Sequence, residues 1–172
     1  QERVDGFINA DPTRISWSRA LKQDLGKDRA YAFEAACIVS SLYRPFTRQW
    51  MYFNRRFNEM VLQMPRIFPD AKADNLVICL TGLGEATGFS SLISRSVTNF
   101  HFVAGSQCFP LYLYNDLAQD DGSLFTVETC DGPRRRNAIT DAGLAHFRSA
   151  YTGETIAKED LFYYVYGLLH SA

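Results

Sequence analysis

The chain has 172 residues, 47% apolar and 22% charged, which suits one folded domain and excludes a disordered tail. Eighteen Lys and Arg against 19 acids leave a net charge of −1, which argues against nonspecific coating of nucleic acid, since that works by neutralising phosphates. An aromatic fraction of 14% provides for a sizeable core.

Residues 1–13 form a polar arm with no apolar run, unlike a signal peptide. No window approaches the roughly 18 apolar residues of a membrane-spanning helix. The chain opens on Gln1 and closes on Leu169-His170-Ser171-Ala172 straight out of an apolar run. It reads as a piece of a longer polypeptide: 1–13 is a linker from a preceding domain and 14–172 a C-terminally truncated domain. After the arm, Ser16 is placed to cap a helix carrying Trp17, Leu21 and Leu25 on one face and ending at Gly26. An apolar stretch, 35–39, closes at Tyr43-Arg44-Pro45-Phe46, where Pro45 imposes extended backbone on the residue before it. Residues 48–54 are aromatic-rich and predict a strand. The spacing from Phe57 to Met64 predicts a helix that stops at Pro65.

Leu76-Val77-Ile78-Cys79-Leu80 is continuously apolar, as a central strand requires. Residues 81–88 hold three glycines and must turn; 89–94 alternate weakly. Cys108-Phe109-Pro110-Leu111-Tyr112-Leu113-Tyr114 predicts a strand that Pro110 confines to an edge or bends. Asp120-Asp121-Gly122 predicts a turn before a strand at 124–127. Thr140 caps a helix with Leu144 and Phe147, and Lys158 to His170 is helical, with Leu161, Val165, Leu168 and Leu169 at helical spacing. Strands in the middle, helices at both ends and no βαβ alternation predict an α+β fold with a central, largely antiparallel mixed sheet.

No active site is evident. Gly82-x-Gly84-x-x-x-Gly88 departs from phosphate-binding spacing and reads as a plain turn. Asp116, Asp120, Asp121 and Glu128 lie around turns, where solvated acids are ordinary. Cys37, Cys79, Cys108 and Cys130, like the three histidines, lack ligand spacing, so no metal site is expected; most of the cysteines sit in apolar company, as in a reducing, cytoplasmic setting. The arginines are more telling. Between residues 44 and 58 there are four (Arg44, Arg48, Arg55, Arg56), no acid, and five interleaved aromatics together with Gln49, Asn54 and Asn58. Guanidinium and amide groups among rings are what base-edge and phosphate contacts need. Arg95 stands alone after a strand, and Arg134, Arg135 and Arg136 are read as a loop in a Gly-Pro turn.

Tyr43-Arg44-Pro45-Phe46 with Arg48, Trp50 and Tyr52 resembles a motif of large helicase–methylase fusion proteins. Trp17-Ser18-Arg19-x-Leu21, Pro65-Arg66, Thr81-Gly82-x-Gly84 with Phe89-Ser90, Gln107 to Tyr114, and Glu159 to Ser171 agree in the same order. Over residues 14–171 the chain resembles the C-terminal specificity (target-recognition) domain of type ISP restriction–modification enzymes and their helicase relatives. The resemblance implies double-stranded DNA as partner, together with adjacent methyltransferase and helicase domains of the same chain. It implies no cofactor here, because S-adenosylmethionine and ATP with Mg2+ belong to those other domains. The catalytic Asn/Asp-Pro-Pro-Tyr motif is absent, so the piece itself is expected not to be an enzyme.

The two lines converge on sequence-specific recognition of duplex DNA beside an N6-adenine methyltransferase. Arg55, Arg56, Arg95, Arg134, Arg135 and Arg136 are the expected DNA-facing residues. Arg44 and Arg48, in a motif tied to Pro45 and Trp50, are either DNA-facing or structural. The alternative is a non-catalytic docking module that touches no base, with the aromatic helix 158–170 as its face.

Overall fold

The computed structural model describes residues 17–115 and 134–171. The expectations for the arm, the Ser16 cap, the acids Asp116, Asp120, Asp121 and Glu128, the strand at 124–127 and Cys130 lie outside the described residues.

The elements run α1 (Arg19–Gly26), a 3-10 turn (Ala35–Cys37), β1 (Ile38–Arg44), β2 (Thr47–Tyr52), α2 (Met64–Ile67), β3 (Val77–Leu80), β4 (Ser91–Ser94), β5 (Val97–Thr98), β6 (Gln107–Pro110), β7 (Tyr112–Asn115), β8 (Arg134–Asn137), α3 (Asp141–Ala150) and α4 (Lys158–Leu168). The fold is α+β, and its strands divide into three small sheets, ordered β2-β1-β5, β4-β3-β6 and β7-β8. All pairings are antiparallel except β1 with β5. Among the described residues no helix is long and apolar enough to cross a membrane.

β3 is central in its sheet and buried on both faces. Val77 and Cys79 join a core with Val39, Ile67, Phe68, Val97, Phe102 and Val103. Ile78, on the opposite face, meets Leu111 and Phe162 of α4. This double burial is why the strand is apolar at every position rather than at alternate ones, and each such side chain contributes about 1.5–3 kcal/mol on burial. Cys79 stands opposite Cys108 of β6, with sulfurs 3.7 Å apart, as a small core residue.

Helix ends follow local chemistry. The α1 cap is Ser18, two residues later than expected, and its Oγ accepts from Leu21 N at 3.2 Å. Thr140 Oγ1 accepts from Gly143 N at 3.1 Å to start α3. Asp160 accepts from Ala157 N at 2.8 Å at the start of α4, where a carboxylate also suits the helix dipole.

Two expectations are corrected. No helix spans 57–64: Met60 and Leu62 take left-handed φ of 55° and 50°, and the segment is a chain of turns. The short helix begins at Met64, so Pro65 opens a helix instead of closing one, as its missing N–H and fixed φ favour in a first turn. The expected strand 108–114 is two strands, broken at Leu111 directly after Pro110, and Pro110 ends β6, an edge strand.

One side chain joins these pieces. Asn75, 2% exposed, precedes β3. Its Nδ2 donates to the carbonyls of Ile67 (2.9 Å) and Tyr112 (2.8 Å), and its Oδ1 accepts from the N–H groups of Leu76 (2.8 Å) and Tyr112 (3.0 Å). α2, β3 and β7 therefore meet at one amide. Asn75→Ala leaves buried backbone groups unpaired and is expected to lower unfolding free energy by about 3 kcal/mol or more, read by urea titration. Asn75→Asp keeps the volume but sets oxygen against two carbonyls, and it is expected to be no better.

Candidate nucleic-acid interface

The arginines fall into two groups around α2. The first sits on the β1–β2 hairpin and the turn after it. Arg44 is half-buried and turned onto its own scaffold: its Nη1 donates to the Tyr43 carbonyl (3.1 Å) and to Asn99 Oδ1 (3.3 Å), and its guanidinium lies 4.3 Å from the centre of the Tyr43 ring. It ties the hairpin to the loop after β5. Arg48, opposite Leu42 on edge strand β2, is exposed.

Arg55 and Arg56 follow β2 on a turn built by asparagines. Asn58 Oδ1 accepts from Asn54 N (3.0 Å), and Asn54 Oδ1 accepts from Arg56 N (2.9 Å). Phe57 anchors the turn edge-on against Tyr31 and Tyr52. The Arg56 guanidinium stacks 4.8 Å from the Tyr31 ring centre. Both arginines are exposed and line an open cavity of about 460 Å³ with Phe53, Asn54, Pro65 and Pro69. Arg95 is exposed on the β4–β5 turn. The parallel register of Ser41 with Val97 brings that turn in at the Ile38 end of β1, the end from which Tyr52 leads to Arg55.

The second group is β8. Its arginines are a strand paired with β7, not a loop, with Arg136 opposite Leu113 and Arg135 opposite Tyr114. Arg135 lies 4.2 Å over the Tyr112 ring, whose hydroxyl donates to Glu159 Oε1 at 2.7 Å. Arg136 is exposed. Only the backbone of Arg134 is described. α2 packs against β7, and Pro65 in its first turn and Pro69 just beyond its cap line the Arg55–Arg56 cavity. The first group thus borders α2 through the cavity, and the second is linked to α2 through β7.

Sequence reasoning passed over Arg66 on α2, whose Nη1 donates to Gln63 Oε1 at 3.1 Å. Its one signal was the Pro65-Arg66 pair, outside the acid-free segment. The glycine turn is structural: Gly82 donates to the Ala104 carbonyl at 2.9 Å, and a Cβ on Gly82 would collide with the Gly105 carbonyl. Gly105 in turn lies against the Glu85 carboxylate, a poor neighbour for a phosphate. On α4, Phe162 is in the core while Tyr163, Tyr164, Val165 and Leu168 are exposed. A broader apolar groove of about 990 Å³ runs beside the hairpin, lined among others by Trp50, Phe57, Met60 and Phe109.

The family model of the Type ISP C-terminal specificity domain matches residues 1–172. The chain belongs to this family. It is similar to the corresponding region of three solved structures. A DrdV–DNA complex is 36% identical with a TM-score of 0.75, over 89% of this chain and 14% of that one. The ATP-dependent Type ISP restriction-modification enzyme LlaBIII bound to DNA is 30% identical with a TM-score of 0.71, over 91% and 10%. A nuclease-deletion mutant of the Type ISP enzyme LlaGI in complex with a DNA substrate mimic is 30% identical with a TM-score of 0.68, over 98% and 11%. The specificity domain thus spans 10–14% of the length of these relatives. Among curated proteins none matches the chain.

The Arg135–Tyr112–Glu159 contact has a pH signature. The Tyr112 hydroxyl holds the Glu159 carboxyl below its ordinary value, and Glu159 in return raises the Tyr112 hydroxyl. A carboxyl lowered on folding adds stability above its unfolded value, near 4.5, and that stability is lost as pH falls through the folded value. Glu159 is largely solvated, so the effect is under about 1 kcal/mol. Tyr112→Phe is expected to flatten the acid limb of a urea-midpoint profile between about pH 3 and pH 7.

Proposed function

We propose that this specificity domain recognises a particular sequence of duplex DNA and holds it for a neighbouring N6-adenine methyltransferase domain of the same polypeptide. One observation carries the reading: 89–98% of the chain matches, at 30–36% identity, regions of enzymes whose structures are DNA complexes. The exposed arginines of an acid-free segment supply the chemistry. A guanidinium can read guanine O6 and N7 with two hydrogen bonds, asparagine and glutamine can read adenine, and phosphate contacts fix the register. We assign these roles to Arg55, Arg56, Arg95, Arg134, Arg135 and Arg136, with Arg48 beside them and Arg44 as a scaffold residue. The domain acts in the cytoplasm, contributes no catalytic group and holds no cofactor. S-adenosylmethionine, and ATP with Mg2+, are the business of the methyltransferase and helicase domains. A docking module that makes no base contacts is not favoured, because the matching enzymes are seen on DNA.

The test is a transplant. Residues 44–96 with the 134–136 segment, moved into a relative, are expected to move its methylated sequence, read by methylation sequencing; an unchanged recipient pattern overturns the reading. Single alanine variants separate the roles. Loss of a base-reading arginine is expected to cost about 1–3 kcal/mol and relax one position. Loss of a phosphate-binding arginine weakens all sequences alike and lowers the salt slope by about 1. Arg44→Ala is expected instead to lower the melting temperature.

A further inference from the structure

The most exposed aromatic side chain among the described residues is in an unusual place. Phe46, 93% exposed, is at the tip of the β1–β2 hairpin with φ of +66°. A bulky non-glycine side chain in the left-handed region is strained, and an aromatic ring left in water gives up its burial. Glycine or asparagine would suit the turn better on both grounds. The tip is also rigid. Pro45 fixes one φ, and Arg44 clamps the base of the turn to Asn99 while stacking on Tyr43. The surroundings suit a polyanion, since no acid occurs from residue 35 to residue 58 and Arg48 is exposed on the adjoining strand.

A two-stranded ribbon fits a DNA groove, and an apolar side chain presented at a rigid tip can pry apart neighbouring base pairs of the stack. Accepting the reading of the domain as DNA-binding, we infer that Phe46 is a wedge that enters the base stack of the bound duplex at one step and opens it. Phe46 then positions the site by deforming it, with Arg48 on β2 close behind the tip to meet the phosphate backbone and Arg55 and Arg56 at the far end of the hairpin to hold the duplex further along. Sequence is read partly through how readily that step unstacks.

The experiment uses the full-length polypeptide that carries this domain. Selection from short duplexes with a randomised centre gives its preferred sequence, and 2-aminopurine is then placed at each position of that duplex in turn. The wild type is expected to raise fluorescence at one step. Phe46→Ala abolishes the rise and binds the intact duplex about 10-fold more weakly, a loss of the size expected for one unburied ring. It binds a duplex with an abasic gap at that step as tightly as the wild type does, because the stack is already open. Phe46→Leu keeps most of the rise. Phe46→Gly loses the rise yet melts higher than the wild type, because glycine relaxes the turn. The inference is overturned if Phe46→Ala keeps the fluorescence rise, or weakens intact and opened duplexes equally. It is also overturned if Phe46→Ala and Phe46→Gly both lower the melting temperature without DNA, which places the ring in a neighbouring domain. A wild type that selects a sequence but shows no rise removes the wedge alone. A wild type that selects no sequence removes the recognition reading, and the wedge with it.

Discussion

The buried amide of Asn75 is the constraint on which the arrangement of the domain rests. Three short elements meet there: a one-turn helix, a strand of one sheet and a strand of another. None of them has enough local hydrogen bonding to fix its own position. The amide satisfies two carbonyls and two N–H groups at once, so no partner is left wanting. A satisfied polar group in a dry core is stiff, because every departure from the geometry exposes an unpaired dipole. The consequence reaches the surface. α2 carries Pro65 of the Arg55–Arg56 cavity, with Pro69 two residues beyond its end, and β7 carries β8 with its arginines. The spacing between the two basic groups is set through a side chain that touches neither.

The arginines differ in how much of their hydrogen-bonding capacity is already used. Arg44 gives an amino group to the Tyr43 carbonyl and to Asn99, and its face to Tyr43, which makes it a clamp. Arg56 and Arg135 lend their faces to Tyr31 and Tyr112, and Arg135 also stands in the field of the Glu159 carboxylate. Stacking of that kind fixes the plane of the guanidinium while its edge donors stay in the plane, ready for a bidentate acceptor. An arginine held this way loses less rotamer freedom on meeting a base or a phosphate than one swinging in water. Exposure and anchoring are therefore compatible, and the stacked arginines suit recognition better than freely solvated ones.

What could be read in the sequence was whatever is dictated locally or by repetition. β3 was legible because burial on both faces leaves no polar position. α3 and α4 were legible because Thr140 and the spacing of Leu161, Val165 and Leu168 act within a few residues. The segment 57–64 misled because the spacing of Phe57, Val61 and Met64 fits a helix, while the left-handed turns at Met60 and Leu62 leave no pattern in apolar spacing. Pro65 misled because a proline both ends one helix and begins another. Asn75 carried no signal, since an asparagine before a strand looks like a turn residue. The pairing of Arg135 with Tyr112, and of Tyr112 with Glu159, joins distant segments of the chain through the sheet. Whether an arginine faces a ring or the solvent follows from such pairings and not from its neighbours.

The net charge of −1 fits a reader of DNA sequence once affinity and selectivity are separated. Affinity for DNA grows with each phosphate neutralised, wherever on a large polypeptide that contact is made. Selectivity must come from groups that reach base edges or deform particular steps, and those have to sit at the site. A specificity domain rich in unbalanced positive charge would bind every sequence and so narrow the ratio of specific to nonspecific binding, the quantity that governs discrimination in a genome. Holding the overall charge near zero, while placing arginines on a rigid hairpin, its adjoining turn and one strand, keeps general attraction low and leaves geometry to decide. Stacking of Arg56 and Arg135 on Tyr31 and Tyr112 serves the same end, because a cation held in one plane is aimed as well as charged.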